Sequence, residues 1–509
     1  PLYLEAFRLE RDCDLPERAL VIVDEGLKEI PRYGPLWFGA FRICEGIDIQ
    51  NGDLHLPRTF NYIDRAIKSI SRELIWKVQM EAAQALERAA HIAINNEPIK
   101  AVGDLLTETR RRFGKTIFSC PENLCWKVWL AAGRMELSAG KFDEARRLFL
   151  KSFSVVPTKG RPSVLLECVR LEEFVGNIDL AKAILCKTRT EAKADWKVWL
   201  QSVSMEVRSG NRELAISLAQ KGLMEHSGTG RLWATLIQLR QEDGEEQQTK
   251  ALKKALHAVP KSGEVWCEAA RIYLNPFSPS FDVDVSSCYL DFATKFTPQY
   301  GDSFLEALRQ EMVKAIISSS VHVKDTAANL QDCPEKDVLR KIVQVFDNAA
   351  GTLITDKRSK LEVDEVIGKL DTTKLELRCS NADPNYGKLW FHSRSRPSDT
   401  ARKVLEQAKQ VIWNDLRDYS FIYVLATMRQ ETIKYCKTSN MNVNVPSLTE
   451  LLNKTAWKED NLLKRISKAD FVTGFSEVNG EVDLQSLSLF DRRKFLFGSD
   501  LLLTWKPLN

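Results

Sequence analysis

Residues 129–145 read WLAAGRMELSAGKFDEA, and residues 199–215 read WLQSVSMEVRSGNRELA. Trp129, Glu136, Gly140 and Ala145 fall at the same offsets as Trp199, Glu206, Gly210 and Ala215, namely zero, seven, eleven and sixteen residues from the aromatic. The 70 residues from one copy to the next leave room for a third, and Leu165, Glu172, Gly176 and Ala181 supply it. Tyr3, Glu10 and Ala19 keep the spacing at the start of the chain, with Asp14 where the glycine would be. Trp37 lies 34 residues after Tyr3; Trp233 and Gly244 keep the first and third positions, and Trp266 opens another unit. Steps of 36, 34, 34 and 33 residues separate positions 129, 165, 199, 233 and 266. That period is the mark of a helical-hairpin solenoid.

Each unit reads as a helix, a tight turn and a second helix. Trp129, Ala132 and Met135 repeat at helical spacing, so one face of the first helix is apolar. Gly140, Gly176 and Gly210 stand where that helix must stop, a place that favours a left-handed backbone. Asp143, Glu144 and Asp179 then open second helices, where negative charge is favourable. Ala145, Ala181 and Ala215 are small enough to let paired helices approach. A single hairpin cannot cover its own apolar face, so neighbouring units must stack. The expected fold is therefore all-α, a right-handed α-solenoid of hairpin repeats.

The chain of 509 residues is too long for one ordinary core, in keeping with an extended array. A formal charge of +4 is nearly balanced and calls for neither nucleic acid nor an acidic membrane. The eleven cysteines are scattered, as in a reducing compartment. No apolar run is long enough to span a bilayer. The chain opens on Pro1 rather than Met, which reads as a fragment. No phosphate-binding glycine loop, His-Glu-x-x-His or nucleophile elbow is present, so no catalytic, cofactor or metal site is expected and the chain reads as a non-enzyme.

A Trp followed seven residues later by Glu, without a Leu-Gly pair after the Trp, resembles the HAT (half-a-tetratricopeptide) repeat family, whose members mostly process RNA. LRCSNADPNYGKLWF at 377–391, with ALKKALHAVPKSGEVWCEAARI at 251–272, resembles more closely the C-terminal part of the pre-mRNA-processing factor six family. Cys379, Ala382, Asp383, Pro384, Gly387, Leu389 and Trp390 carry that likeness. The resemblance implies a non-catalytic HAT-repeat scaffold for protein–protein assembly in a ribonucleoprotein, in pre-mRNA splicing and tri-snRNP assembly, located in the nucleus. Its partners would be proteins of that complex. Direct RNA contact is left open, indirect contact being the favoured reading, and no membrane or small-molecule substrate is expected. The alternatives are a HAT scaffold in RNA 3′-end, ribosomal RNA or organellar RNA processing, or a tetratricopeptide-type peptide-binding adaptor.

The expected domains are a repeat array over 1–310 with an irregular insertion at about 46–116, a partly helical insertion over 311–375, further HAT-like repeats over 376–435, and an irregular tail over 436–509. The loop inside the first insertion is read at 46–62. Repeat-core positions are Trp37, Trp129, Leu165, Trp199, Trp233, Trp266 and Trp390, with the turn glycines Gly140, Gly176 and Gly210 and the small residues Ala145, Ala181 and Ala215. Trp126 and Trp196 are expected to pack on the preceding repeat. The recurrent Glu10, Glu136, Glu172 and Glu206 read as inter-repeat hydrogen bonds or ion pairs. Arg110, Arg111, Arg112 and Lys115 are the candidate contact for a partner or RNA, a solvated helix face being the plainer reading.

Overall fold

Every expected turn bends the backbone into the left-handed region: φ is +73° at Gly140, +97° at Gly176, +74° at Gly210 and +59° at Asp14, in this computed structural model. It describes residues 2–96, 99–191, 195–331, 333–355, 357–394 and 399–454. Asp14 takes the glycine's conformation because a short polar side chain tolerates that region better than most. At each turn the residue after it reaches back to the helix it ends. The N–H groups of Leu15, Lys141, Asn177 and Asn211 donate to the carbonyls of Glu10, Glu136, Glu172 and Glu206 at 2.9, 2.9, 2.8 and 2.8 Å. These are the six-to-one bonds that satisfy orphan carbonyls at a helix end.

Among the described residues the chain is all-α, a helical-hairpin repeat of the solenoid class. The described residues divide into two compact units, 2–202 with 399–400, and 203–394 with 401–454. The first holds α1 (Leu2–Asp12), α2 (Pro16–Glu29), α3 (Gly34–Gln50), α4 (Pro57–Ser69), α5 (Arg72–Asn96), α6 (Ile99–Ser119), α7 (Cys125–Ser138), α8 (Phe142–Val155), α9 (Arg161–Val175) and α10 (Ile178–Glu191). These helices pack on the next one or two in sequence. The division falls inside α11 (Trp196–Arg208).

The stretch 46–116, expected to be irregular, is regular helix apart from short joints. The loop read at 46–62 shrinks to 51–56, because α3 continues through Gly46 to Gln50. Asp48, 1% exposed, supplies what the loop would otherwise need. Its carboxylate accepts the Thr59 N–H at 2.9 Å and the Thr59 hydroxyl at 2.8 Å, capping α4 from a neighbouring helix. The longer step through this region comes from the 25 and 21 residues of α5 and α6.

The second unit continues with α12 (Arg212–Glu225), α13 (Gly230–Leu239), α14 (Glu245–Ala258), α15 (Gly263–Leu274), α16 (Val283–Phe296) and α17 (Asp302–Ser319). Beyond α17 the pattern changes. The segment expected as an insertion forms α18 (Val321–Lys324), α19 (Thr326–Leu330), α20 (Glu335–Thr355) and α21 (Lys357–Gly368). Where further repeats are expected, the chain makes two short helices, α22 (Thr373–Ala382) and α23 (Lys388–Ser393), and one of 38 residues, α24 (Ala401–Thr438). A left-handed Asp383, Pro384 and Gly387 break the chain between α22 and α23. No glycine or proline interrupts 401–438, so α24 runs on. It gathers α17 through α23 along its length. The described part of the expected tail includes α25 (Leu448–Lys454), whose Leu448, Leu451 and Leu452 are buried, packed against α20 and α24. Residues 455–509 lie outside the described residues.

Candidate functional site: polar rows on the first helices

Of the four repeat glutamates, Glu136 and Glu172 bind the preceding hairpin, whereas Oε2 of Glu10 is buried without a hydrogen-bond partner. Arg110 grips Glu136 with both arms of its guanidinium, at 2.7 and 2.8 Å, and Arg146 grips Glu172 the same way, at 2.8 and 3.0 Å. Both pairs are 26 residues apart. The side-chain amides of Asn177 and Asn211 add bonds of 2.7 and 2.8 Å to Glu172 and Glu206. These carboxylates therefore join turn to turn and hairpin to hairpin, and the Arg146 bond holds that of Glu172 below its usual range.

A second row lies two or five residues after the first position of several units, counted from Trp129, Leu165, Trp233 and Trp266. Arg134 donates to Glu167 of the next hairpin at 2.5 Å, and Arg170 meets the same carboxylate at 2.5 Å. In the second unit Gln238 donates to Glu268 at 2.6 Å, Arg271 pairs with Glu268, and Arg271 reaches Glu306 at 3.1 Å. Nearer the start of the chain Arg88 binds Glu45 with two 2.6 Å bonds and Glu81 at 2.8 Å, all three being buried. Charges removed from water survive only when paired and hydrogen-bonded, so these rows fix how one hairpin meets the next.

The two glutamates at equivalent positions differ in ionisation. Burial pushes the Glu167 carboxyl up, but Arg134 and Arg170 overcome it and hold the group at about 2. Burial also raises Glu268; Arg271 and the neutral Gln238 do not offset it, and Glu306 adds a like charge, leaving it at about 7. Glutamine in place of arginine at the fifth position, together with the nearby Glu306 that shares Arg271, underlies the contrast.

The sequence-expected residues fall as follows. Trp37 and Trp390 are 2% and 1% exposed, Trp199 is also buried, and Trp129, Leu165, Trp233 and Trp266 are partly buried. Ala145, Ala181 and Ala215 are fully buried. The tryptophans have a polar function that the periodicity does not reveal. The indole N–H of Trp37, Trp233 and Trp266 donates to the carbonyl six residues upstream, on Pro31, Ser227 and Pro260, at 2.8 Å each time. Each ring thus ties its helix to the turn before it. Trp126 packs against Gly160, where a Cβ would come within 3.2 Å of its ring. Gly160 precedes α9, so this contact reaches the following hairpin. The small residue there leaves the room.

The Arg110–Lys115 run does not present four open cations. Arg110 is engaged by Glu136, Arg111 and Arg112 both bind Glu108 at 2.7 and 2.9 Å, and Arg112 also lies 4.6 Å over the Phe60 ring. Lys115 is exposed.

The stretch 377–391 docks on α15 to α17 within the second unit. Asp302, 2% exposed, accepts the N–H groups of Lys388 at 3.1 Å and Trp390 at 2.8 Å and so caps α23 from 86 residues upstream. Tyr386 exchanges a β-bridge with Tyr300 and donates its hydroxyl to Glu264 at 2.7 Å. Gly387 has φ +138° and a Cβ there would collide with Asp302, while a Cβ on Gly301 would collide with Trp390. Among the described residues no three His, Cys, Asp or Glu side chains are grouped to hold a metal, and no helix is long and apolar enough to cross a membrane.

A TPR-containing protein of Dictyostelium discoideum is 40% identical over 412 residues, 81% of this chain and 26% of its own length. The chain thus spans about a quarter of that relative. Solved structures that resemble it include a tetratricopeptide repeat protein from Parabacteroides merdae, at 14% identity and a TM-score of 0.28, covering 57% of this chain and 97% of the other. Another is the C-terminal part of a TPR repeat-containing protein from Cytophaga hutchinsonii, at 15% identity and a TM-score of 0.30, covering 56% and 98%. The sequence pattern of the family described as PRP6, TPR-like domain matches residues 1–409, from the first repeat through the Asp302-capped segment into α24, and the chain belongs to that family.

Proposed function

We propose that this chain is a non-catalytic scaffold for protein–protein assembly in a nuclear ribonucleoprotein, acting in pre-mRNA splicing at the tri-snRNP. The observation that carries this reading is the family match over residues 1–409. The buried polar rows support a scaffold rather than a catalyst: Glu167 and Glu268 are taken up in bonds to Arg134, Arg170 and Arg271 of the rows themselves. Stacked hairpins of that kind present long surfaces on which partners bind side by side, each through modest contacts. The peptide-adaptor alternative gains nothing from the second row, since its long polar side chains at Arg134, Arg170 and Arg271 are already engaged.

The test is affinity purification of the tagged chain from cells that express it, with imaging of the same fusion. Spliceosomal small nuclear RNAs and tri-snRNP proteins should be recovered together, and the fusion should be nuclear. Recovery of 3′-end, ribosomal or organellar processing factors in their place would overturn the splicing assignment while leaving a scaffold role.

A further inference from the structure

One surface of the second unit combines exposed aromatic rings with unpaired cations. Rings follow one another outward from the partly buried Tyr273: Tyr273 to Tyr289 at 5.3 Å between centroids, Tyr289 to Trp266 at 5.4 Å, Trp266 to Phe292 at 5.1 Å, and Phe292 to Phe296 at 6.0 Å with planes only 14° apart. The last two are 41% and 38% exposed, one turn apart on α16. The same helix turns Leu290 and Ala293 into the core, so Phe292 and Phe296 lie on its outer side.

Lysines flank the rings. Lys295 sits between the two phenylalanines in sequence. Lys261 belongs to the turn before α15, which is held against the end of α16 by the Gly263 N–H donating to the Thr297 hydroxyl at 2.8 Å. Lys253 lies on α14 three residues before Leu256, a side chain that packs in the same cluster as Trp266 and Tyr289. All three lysines are exposed, and none has an ion-pair partner among the described residues. The neighbouring carboxylates are engaged: Asp291 by Arg378 at 3.1 Å, and Glu264 by the hydroxyls of Ser262 and Tyr386 at 2.7 Å each.

We propose that this α14–α16 surface binds a single-stranded polynucleotide, its bases stacking on Phe292 and Phe296 and its phosphates meeting Lys253, Lys261 and Lys295. Exposed rings beside cations that track a backbone are the combination such ligands need. Protein interfaces, by contrast, are depleted in lysine at their centres. The proposal goes beyond the scaffold reading, which requires no contact with RNA, and its failure would leave that reading intact.

Fluorescence anisotropy of the 509-residue chain with labelled 15-nucleotide oligouridylate and oligothymidylate tests it and separates RNA from DNA. Saturable binding of one or both is expected. Phe292→Ala and Phe296→Ala should each weaken it roughly tenfold. Lys261→Gln with Lys295→Gln should reduce the slope of log affinity against log salt by about 1.4. Both rings are already more than a third exposed, and far-UV circular dichroism verifies that the variants fold. The idea fails if neither oligomer binds, if duplex binds as tightly as single strand, or if the double ring variant keeps wild-type affinity. It also fails if the ring variants lose a protein partner and leave oligomer binding unchanged.

Discussion

Glu167 and Glu268 occupy the same place in their repeats and titrate in opposite directions, which gives the protein two opposed pH dependences. Glu167 is held at about 2, well below the roughly 4.3 of a free glutamate. Its contribution to stability is complete above that free value and disappears as pH falls toward 2. Glu268 is held at about 7, so between about pH 4.3 and 7 the folded chain keeps a proton that the unfolded chain has lost. Its contribution is complete below about 4.3 and fades as pH rises through 7. Urea denaturation of the wild type between pH 5 and 8 should therefore show a decline that Glu268→Gln flattens. An unchanged profile in that variant would show that the site does not carry the dependence. The repeated Glu136 and Glu172 were legible as inter-repeat partners, since a charge that recurs at one helical position recurs for a structural reason. Their arginines were not, because Arg110 and Arg146 sit on the preceding hairpin and Arg110 lies within a run that reads as open surface. The second row was invisible for a different cause: its positions hold Glu167, Gln201, Thr235 and Glu268 in turn, and a geometric repeat without a chemical one leaves no period.

Helix ends show how far local chemistry reaches. Turns at Gly140, Gly176 and Gly210 could be read from the residue type alone, and Asp14 from the spacing, because a left-handed backbone restricts the choice. The boundaries of α3 and α4 could not, since Asp48 replaces the local cap with a carboxylate from within a helix. The same device, over a longer range, holds α23. A six-residue helix has little stability of its own, and Asp302 meets two of its free N–H groups from α17. Asp302→Ala should destabilise the second unit by about 2–3 kcal/mol, as expected when buried donors lose a charged acceptor, with Asp302→Asn intermediate. Hydrogen exchange at 388–390 should rise in the alanine variant before exchange in α15 does. Equal protection in variant and wild type would mean that packing of Trp390 alone secures the helix. No pattern in the sequence announced this contact: its partners are 86 residues apart and each occurs once.

At the scale of the whole chain, hairpins that touch their neighbours in sequence make stability close to a sum of local terms. Two compact units should then lose structure at different denaturant concentrations. Urea curves followed by far-UV circular dichroism and by tryptophan fluorescence should separate, and Trp37→Phe and Trp266→Phe should each alter a different part of the fluorescence transition. Coincident single transitions in all three proteins would require tighter coupling than neighbour contacts provide. The 34-residue period foretold the array but not its close, where α24 runs for 38 residues and collects the helices around it. Asp302 and the start of α23 also pin together the two ends of everything from α17 to α22. The helices between those feet, α18 to α21, are also held along α24, so any helix added or removed there must leave the face that α24 covers filled by another.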